Sequence, residues 1–250
     1  MAKPQARQLS VKARSWVTKN MLRITLGGDA LKDFPDGQES AYIKLLFPQG
    51  SEERPLMRTY TIRQQRSNEI DVDFVMHEEH GPASAWASSA EPGDTILVAG
   101  PGARKLISQD GDWYFLAADM TALPALSVNL EQLPADARGH AVIEVRDEAD
   151  IQSLTHPPGL KLHWIISPEP DPEGRPLLEK AQSLTGWPGT PSIWAACEFG
   201  SMRSLRQYFR HTYEVPKSRF YVSSYWKIGQ TEDGHKQAKQ RDSKESEIAS

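Results

Sequence analysis

The sequence predicts a two-domain β + α/β chain, an N-terminal antiparallel β-barrel followed by a parallel α/β domain. Three observations predict it. Up to about Gly102, apolar and polar residues alternate with a period of two. From Asp112 onward, short apolar runs alternate with helical segments. Between the halves lies a break carrying Gly100, Pro101, Gly102 and Gly111.

In the first half, Leu22, Ile24 and Leu26 alternate with Met21, Arg23 and Thr25, and Ile70, Val72, Phe74 and Met76 alternate with Asp71, Asp73, Val75 and His77. Such strands bury one face, and several of them, punctuated by Gly, Asp and Pro, suggest a small antiparallel barrel. Residues 83–90 break the pattern with small, helix-compatible side chains after Gly81-Pro82, the Pro suiting a first helical turn. In the second half, 113–118, 141–145, 162–166, 192–196 and 220–223 read as buried strands, and 122–133, after Thr121, as a helix. That alternation implies a parallel sheet covered on both faces, with ligands outside the carboxyl ends of its strands. The expected division is 1–105 for the barrel, 106–230 for the sheet domain and 231–250 for a polar tail. The tail reads as a solvated helix or an unstructured end, the unstructured end being preferred.

The 250 residues are 38% hydrophobic and 25% charged, which describes a water-soluble globular protein with room for two cores. A net charge of −4 argues against nucleic acid or an anionic membrane as partner, so an anionic ligand must be caught by placed Lys and Arg. The single cysteine, Cys197, rules out an internal disulfide, an all-cysteine zinc site and a cysteine-ligated iron–sulfur cluster, and it suits a reducing compartment. No run approaches the ~18 apolar residues of a membrane span, and the first residues lack an apolar leader core. A cytoplasmic monomer is the expectation, since no repeat or heptad segment drives assembly.

The most informative segment is Arg58-Thr59-Tyr60-Thr61-Ile62-Arg63, followed by Gly81-Pro82-Ala83-Ser84-Ala85-Trp86. The first offers guanidiniums for phosphate, a Tyr ring that can lie on a flat heterocycle, and the Thr61 hydroxyl. Arg58 and Tyr60 share a strand face, whereas Arg63 faces away unless a bulge intervenes. The second offers backbone N–H groups at a helix start, where a pyrophosphate binds. Alone, either segment is an ordinary strand or helix start; together they suit a flavin dinucleotide. His77 could meet that flavin or be a surface histidine. His77-Glu78-Glu79-His80 lacks the spacing of two histidines four apart on a helix, so no metal site is expected.

In the second half, Ala117-Ala118-Asp119-Met120-Thr121-Ala122 ends a strand with small residues and a cap before a helix, which lets backbone approach a nucleotide or is a plain connection. Neither a G-x-G-x-x-G fingerprint nor a Walker loop occurs. Residues 194–203 form a second such edge, with Arg203 and Arg206 on the following helix and Cys197 as a buried spacer. Trp226 could set an aromatic plane beside the flavin, and Lys227 a cation. Lys44, in an apolar strand and on the face of Tyr42, must reach solvent or a ligand.

Together these segments resemble the siderophore-interacting proteins, flavin-dependent ferric-siderophore reductases related to the ferredoxin–NADP reductase superfamily. The likeness runs through 21–26, 42–48, 58–63, 73–86, 93–102, 119–126, 198–206 and 224–229. It implies an N-terminal Greek-key barrel that binds FAD and a C-terminal domain that binds NADH or NADPH. It implies Arg58, Tyr60, Thr61, His77, Gly81, Ala83 and Ser84 as flavin contacts, with Asp119, Thr121 and Ala122 near the adenine end. Arg63, Asp73, Pro82 and Trp226 complete the expected cofactor set, and Lys44 and Lys227 are the expected clamps for an anionic substrate. Two departures stand out: Met120, where many relatives carry an acid, and the stretch Gly102-Ala103-Arg104-Lys105.

The implied activity is reduction of Fe(III) in a siderophore, catecholate or hydroxamate, with electrons from NAD(P)H or a reduced ferredoxin and release of Fe(II) in the cytoplasm. Electron transfer of this kind requires no side-chain acid, base or nucleophile, so no residue is expected to be catalytic in that sense. A general NAD(P)H–flavin oxidoreductase and a non-catalytic siderophore-binding flavoprotein are the alternatives.

Overall fold

A computed structural model describes residues 6–49, 54–76 and 81–248 of the chain. The chain divides into two compact units, residues 1–106 with 127–132 and 147–155, and residues 107–126 with 133–146 and 156–250.

The first unit is a closed antiparallel barrel of β1 (Arg7–Thr18), β2 (Met21–Gly27), β3 (Tyr42–Phe47), β4 (Leu56–Arg66), β5 (Glu69–Val75) and β6 (Thr95–Ala99), ordered β1-β2-β5-β4-β3-β6. The predicted alternation is the barrel wall. Leu22 faces Phe74, Ile24 faces Val72 and Leu26 faces Ile70 across the β2–β5 ladder, and all six are fully buried. The intervening pairs carry the polar face. Arg23 grips Asp73 through two N–H groups at 2.7 and 2.8 Å, and Asp71 accepts from Thr25 at 2.8 Å and from Arg66 at 2.9 and 2.7 Å. A short helix, α1 (Pro82–Ser89), adds Ala83, Ala87 and Trp86 to the barrel core.

The second unit is a five-stranded parallel sheet ordered β11-β10-β7-β8-β9, made of β7 (Trp113–Ala118), β8 (Arg138–Val145), β9 (Gly159–Ile166), β10 (Pro191–Glu198) and β11 (Phe220–Trp226). The helices are α2 (Leu123–Gln132), whose last residues belong to the first unit, α3 (Arg175–Ser183), α4 (Phe199–Thr212) and α5 (Glu232–Ile248). Every residue of β7 and β10 is buried, as central parallel strands require. Trp113, Phe115 and Ala117 face a core completed by Leu177 of α3 and by Met202, Leu205 and Phe209 of α4. Gly139 lets β8 lie against β7: a Cβ there would stand 1.9 Å from the Tyr114 carbonyl oxygen.

The polar end of the chain is a helix, contrary to the preferred expectation of an unstructured tail. Its inner stripe, His235, Ala238, Lys239 and Asp242, recurs at helical spacing but is almost entirely polar. His235 shares a hydrogen bond with Ser224 at 2.8 Å, Lys239 donates to Ser223 at 2.6 Å, and Arg206 of α4 forks onto Asp242 at 2.7 Å for both contacts. Hydropathy cannot register a helix docked through hydrogen bonds.

Candidate functional site

In the first unit, the candidate site is built on β4. Arg58 pairs with Leu45 and Tyr60 with Ile43, both fully buried, so Arg58 and Tyr60 share the inward face. Thr59 and Thr61 stand opposite Lys44 and Tyr42 on the other face. The Tyr60 ring lies 4.3 Å from Phe74, and Trp86 of α1 lies 5.9 Å from the same ring. Phe74 is thus a common support for the β4 motif and the helix.

Arg58 donates one guanidinium N–H to the Met57 carbonyl at 2.9 Å, and its other N–H groups meet no acceptor among the described residues. At the start of α1, Gly81 is the cap, Pro82 takes the first turn, and the Ser84 hydroxyl turns back to the Gly81 carbonyl at 3.1 Å. The Ala83 and Ser84 amides are first-turn donors that the helix cannot satisfy. Among the described residues, no atom lies within 4 Å of where a Gly81 Cβ would stand. A guanidinium, an aromatic ring and two first-turn amides of a helix are the groups that fit the pyrophosphate and ring of a flavin dinucleotide.

Other expected contacts have partners of their own. Asp73 is buried beneath Arg23. Arg63 sits at a bulge, because Ile62 pairs with Val72 and Gln64 with Asp71, and its guanidinium forks onto Glu131, with Nη1 3.2 Å from Oε2. That pair borders a polar recess of about 420 Å³ lined by Glu39, Gln64, Val128 and Gln132. Lys44 donates to the Thr59 hydroxyl. His77 lies outside the described residues.

In the second unit, Asp119 immediately follows β7 and closes the start of the next segment on itself. Its Oδ1 accepts from the Thr121 amide at 2.9 Å, the Thr121 hydroxyl at 2.6 Å and the Ala122 amide at 3.3 Å, while Oδ2 accepts from the Trp226 indole at 2.7 Å. The structure therefore brings Asp119, Thr121, Ala122 and Trp226 together. Burial pushes the Asp119 carboxyl above the usual range despite these donors. On β10, Glu198 caps α4 through the Gly200 and Ser201 amides and accepts from Ile228 N at 3.1 Å. Lys227 places its ammonium 4.5 Å from the centre of the Phe199 ring. Burial also raises the Cys197 thiol well above its ordinary range, away from thiolate chemistry.

One residue at this edge escaped the sequence reading. Glu144, next to last in β8, is held at a carboxyl pKa of about 7, first by burial and then by Asp119. A lone acid inside the apolar run 141–145 was the available signal.

Residues 10–53 and 49–105 match the siderophore-interacting FAD-binding domain, and residues 111–229 match the siderophore-interacting protein model. The ferric vibriobactin reductase ViuB of Vibrio cholerae is 33% identical over 252 residues, covering 92% of each chain. The chain belongs to the siderophore-interacting protein family. An NADPH-dependent ferric-chelate reductase of Escherichia coli is 31% identical, covering 88% of this chain and 92% of its own. The crystal structure of the siderophore-interacting protein SipS from Aeromonas hydrophila superposes with a TM-score of 0.86 at 35% identity, covering 96% of this chain and 99% of that one. A ferredoxin–NADP+ reductase of Plasmodium falciparum, 13% identical with a TM-score of 0.67, shares the fold alone. In this siderophore-interacting protein, the FAD-binding domain match spans the β4 motif and the start of α1.

Proposed function

We propose that this siderophore-interacting protein is an FAD-dependent ferric-siderophore reductase, with NADH or NADPH as donor, that releases Fe(II) in the cytoplasm. The observation that carries the reading is the placement of Arg58 and Tyr60 on one face of β4, with Phe74 supporting both Tyr60 and the α1 helix, inside the stretch matched to the siderophore-interacting FAD-binding domain. The likeness to the vibriobactin reductase over 92% of each chain supports the substrate class.

When bound, the flavin supplies a carrier that accepts an electron pair as hydride and passes electrons on singly. Arg58 neutralises phosphate charge, and the Ala83 and Ser84 amides complete that contact. Tyr60, braced by Phe74, gives the ring a fixed surface, and Thr61 offers a hydroxyl at its edge. Asp119, Thr121, Ala122 and Trp226 order the sheet edge where the nucleotide would lie. A siderophore's hard oxygen donors hold Fe(III) far more tightly than Fe(II), so one electron loosens the metal. Ferric catecholates are anionic, and Lys44 on the first unit and Lys227 on the second each offer positive charge suited to such a chelate.

The test is aerobic-free turnover with a ferric catecholate and a ferrous chelator as reporter. Ferrous complex should form only with FAD and donor present, and Lys44→Ala combined with Lys227→Ala should raise KM about threefold or more, each exposed contact contributing up to ~1 kcal/mol. A KM unaltered by the double change removes the clamp, and a protein that does not bleach with the donor and yields no ferrous complex is a carrier.

A further inference from the structure

The donor site carries a discriminator. The sheet reverses its order between β7 and β10, and a dinucleotide on such a sheet lies across that point, outside the carboxyl ends of the strands. Its adenosine half would then run over β8, the strand reached by the crossover through α2. Ile143 pairs with Ala118, the last residue of β7, so Glu144 is level with Asp119 at that edge. In its ionised form, which prevails above its pKa of about 7, a carboxylate at this level would accept from the 2′-hydroxyl of an adenosine ribose and repel a 2′-phosphate.

Resting on the reading of a nicotinamide donor, we infer that Glu144 makes this protein select NADH over NADPH. The surroundings favour the hydroxyl. The side chain is half-buried, and the charges acting on it, Asp119, Asp171 and Glu198, are all negative. Arg146, the nearest cation along the strand, turns its Nε to the Pro168 carbonyl at 3.4 Å. The expected preference is opposite to that named for the Escherichia coli relative.

The test uses the FAD-loaded protein, comparing kcat/KM for NADH and NADPH, and calorimetry with ADP-ribose and its 2′-phosphate, which reports binding without turnover. NADH and ADP-ribose should be favoured about tenfold or more, like charges brought together being costly. Glu144→Gln should narrow both ratios mainly by improving the phosphorylated ligands. Equal or reversed ratios in the unaltered protein overturn the inference while leaving the nicotinamide reading intact. So does an Arg146→Ala variant that loses the 2′-phosphate ligands selectively. If neither fragment binds and neither donor reduces the flavin, the nicotinamide reading itself fails.

Discussion

Arg58 and Arg63 carry the same charge five residues apart, yet only one of them is already paired. Arg63 is forked by Glu131, whereas Arg58 bonds only a neighbouring carbonyl among the described residues. Arg58→Ala should therefore weaken FAD binding by about ten- to a hundredfold, the value of a hydrogen bond to a charged group, while Arg63→Ala should change it less than about threefold. Titrating the flavin-free protein with FAD by fluorescence checks both, and equal losses would give Arg63 a phosphate role. Spacing made the Arg58–Tyr60 face legible, but neither the bulge at Arg63 nor its partner Glu131, in a distant helix, leaves a local trace. A second residue-scale effect concerns His163, which burial first and neighbouring His140 second hold near a pKa of about 4, against 6.5 when exposed. The unfolded chain binds that proton first, so this contribution to stability is intact above 6.5 and is lost as pH falls toward 4. His235, also lowered to about 4, acts in the same direction. Thermal midpoints followed through this window should decline less steeply in His163→Gln; an unchanged slope would contradict the assignment.

Among the elements, α5 shows how polarity alone misleads. The β2 and β5 strands were legible because their alternation matches the buried row Leu22, Ile24, Leu26, Ile70, Val72 and Phe74. The end of the chain lacks any such row, and its helix is held by Arg206–Asp242 and the His235 and Lys239 contacts instead. Asp242→Ala should cost about 1–2 kcal/mol, between exposed and buried ion pairs, because Asp242 is buried and Arg206 only slightly exposed. Urea unfolding reads this directly, and a midpoint that does not move would mean the helix contributes nothing. In β8, Gly139→Ala should destabilise the sheet by about 1–3 kcal/mol or more, since the added carbon meets backbone rather than a flexible side chain. Strand periodicity locates β8 but carries no sign of that close approach.

At the scale of the molecule, fold class and cofactor were readable because the Arg-flanked Tyr-Thr motif and the Gly-Pro-Ala-Ser segment stand in the right order on recognisable strands and helix. The donor selection proposed for Glu144 was less readable, because it rests on that residue's level beside Asp119 on a neighbouring strand, a relation fixed only by sheet register. The chemistry sets a clear stoichiometry: one hydride brings two electrons, and each Fe(III) takes one, so one reduced flavin releases two Fe(II). The most direct test is a single-turnover experiment without oxygen, in which the FAD-loaded protein is bleached with one equivalent of NADH and then mixed with excess ferric catecholate and a ferrous chelator. The account predicts full return of flavin colour with two ferrous complexes per flavin; a flavin that stays bleached in the presence of the ferric chelate, with no ferrous complex formed, would contradict it.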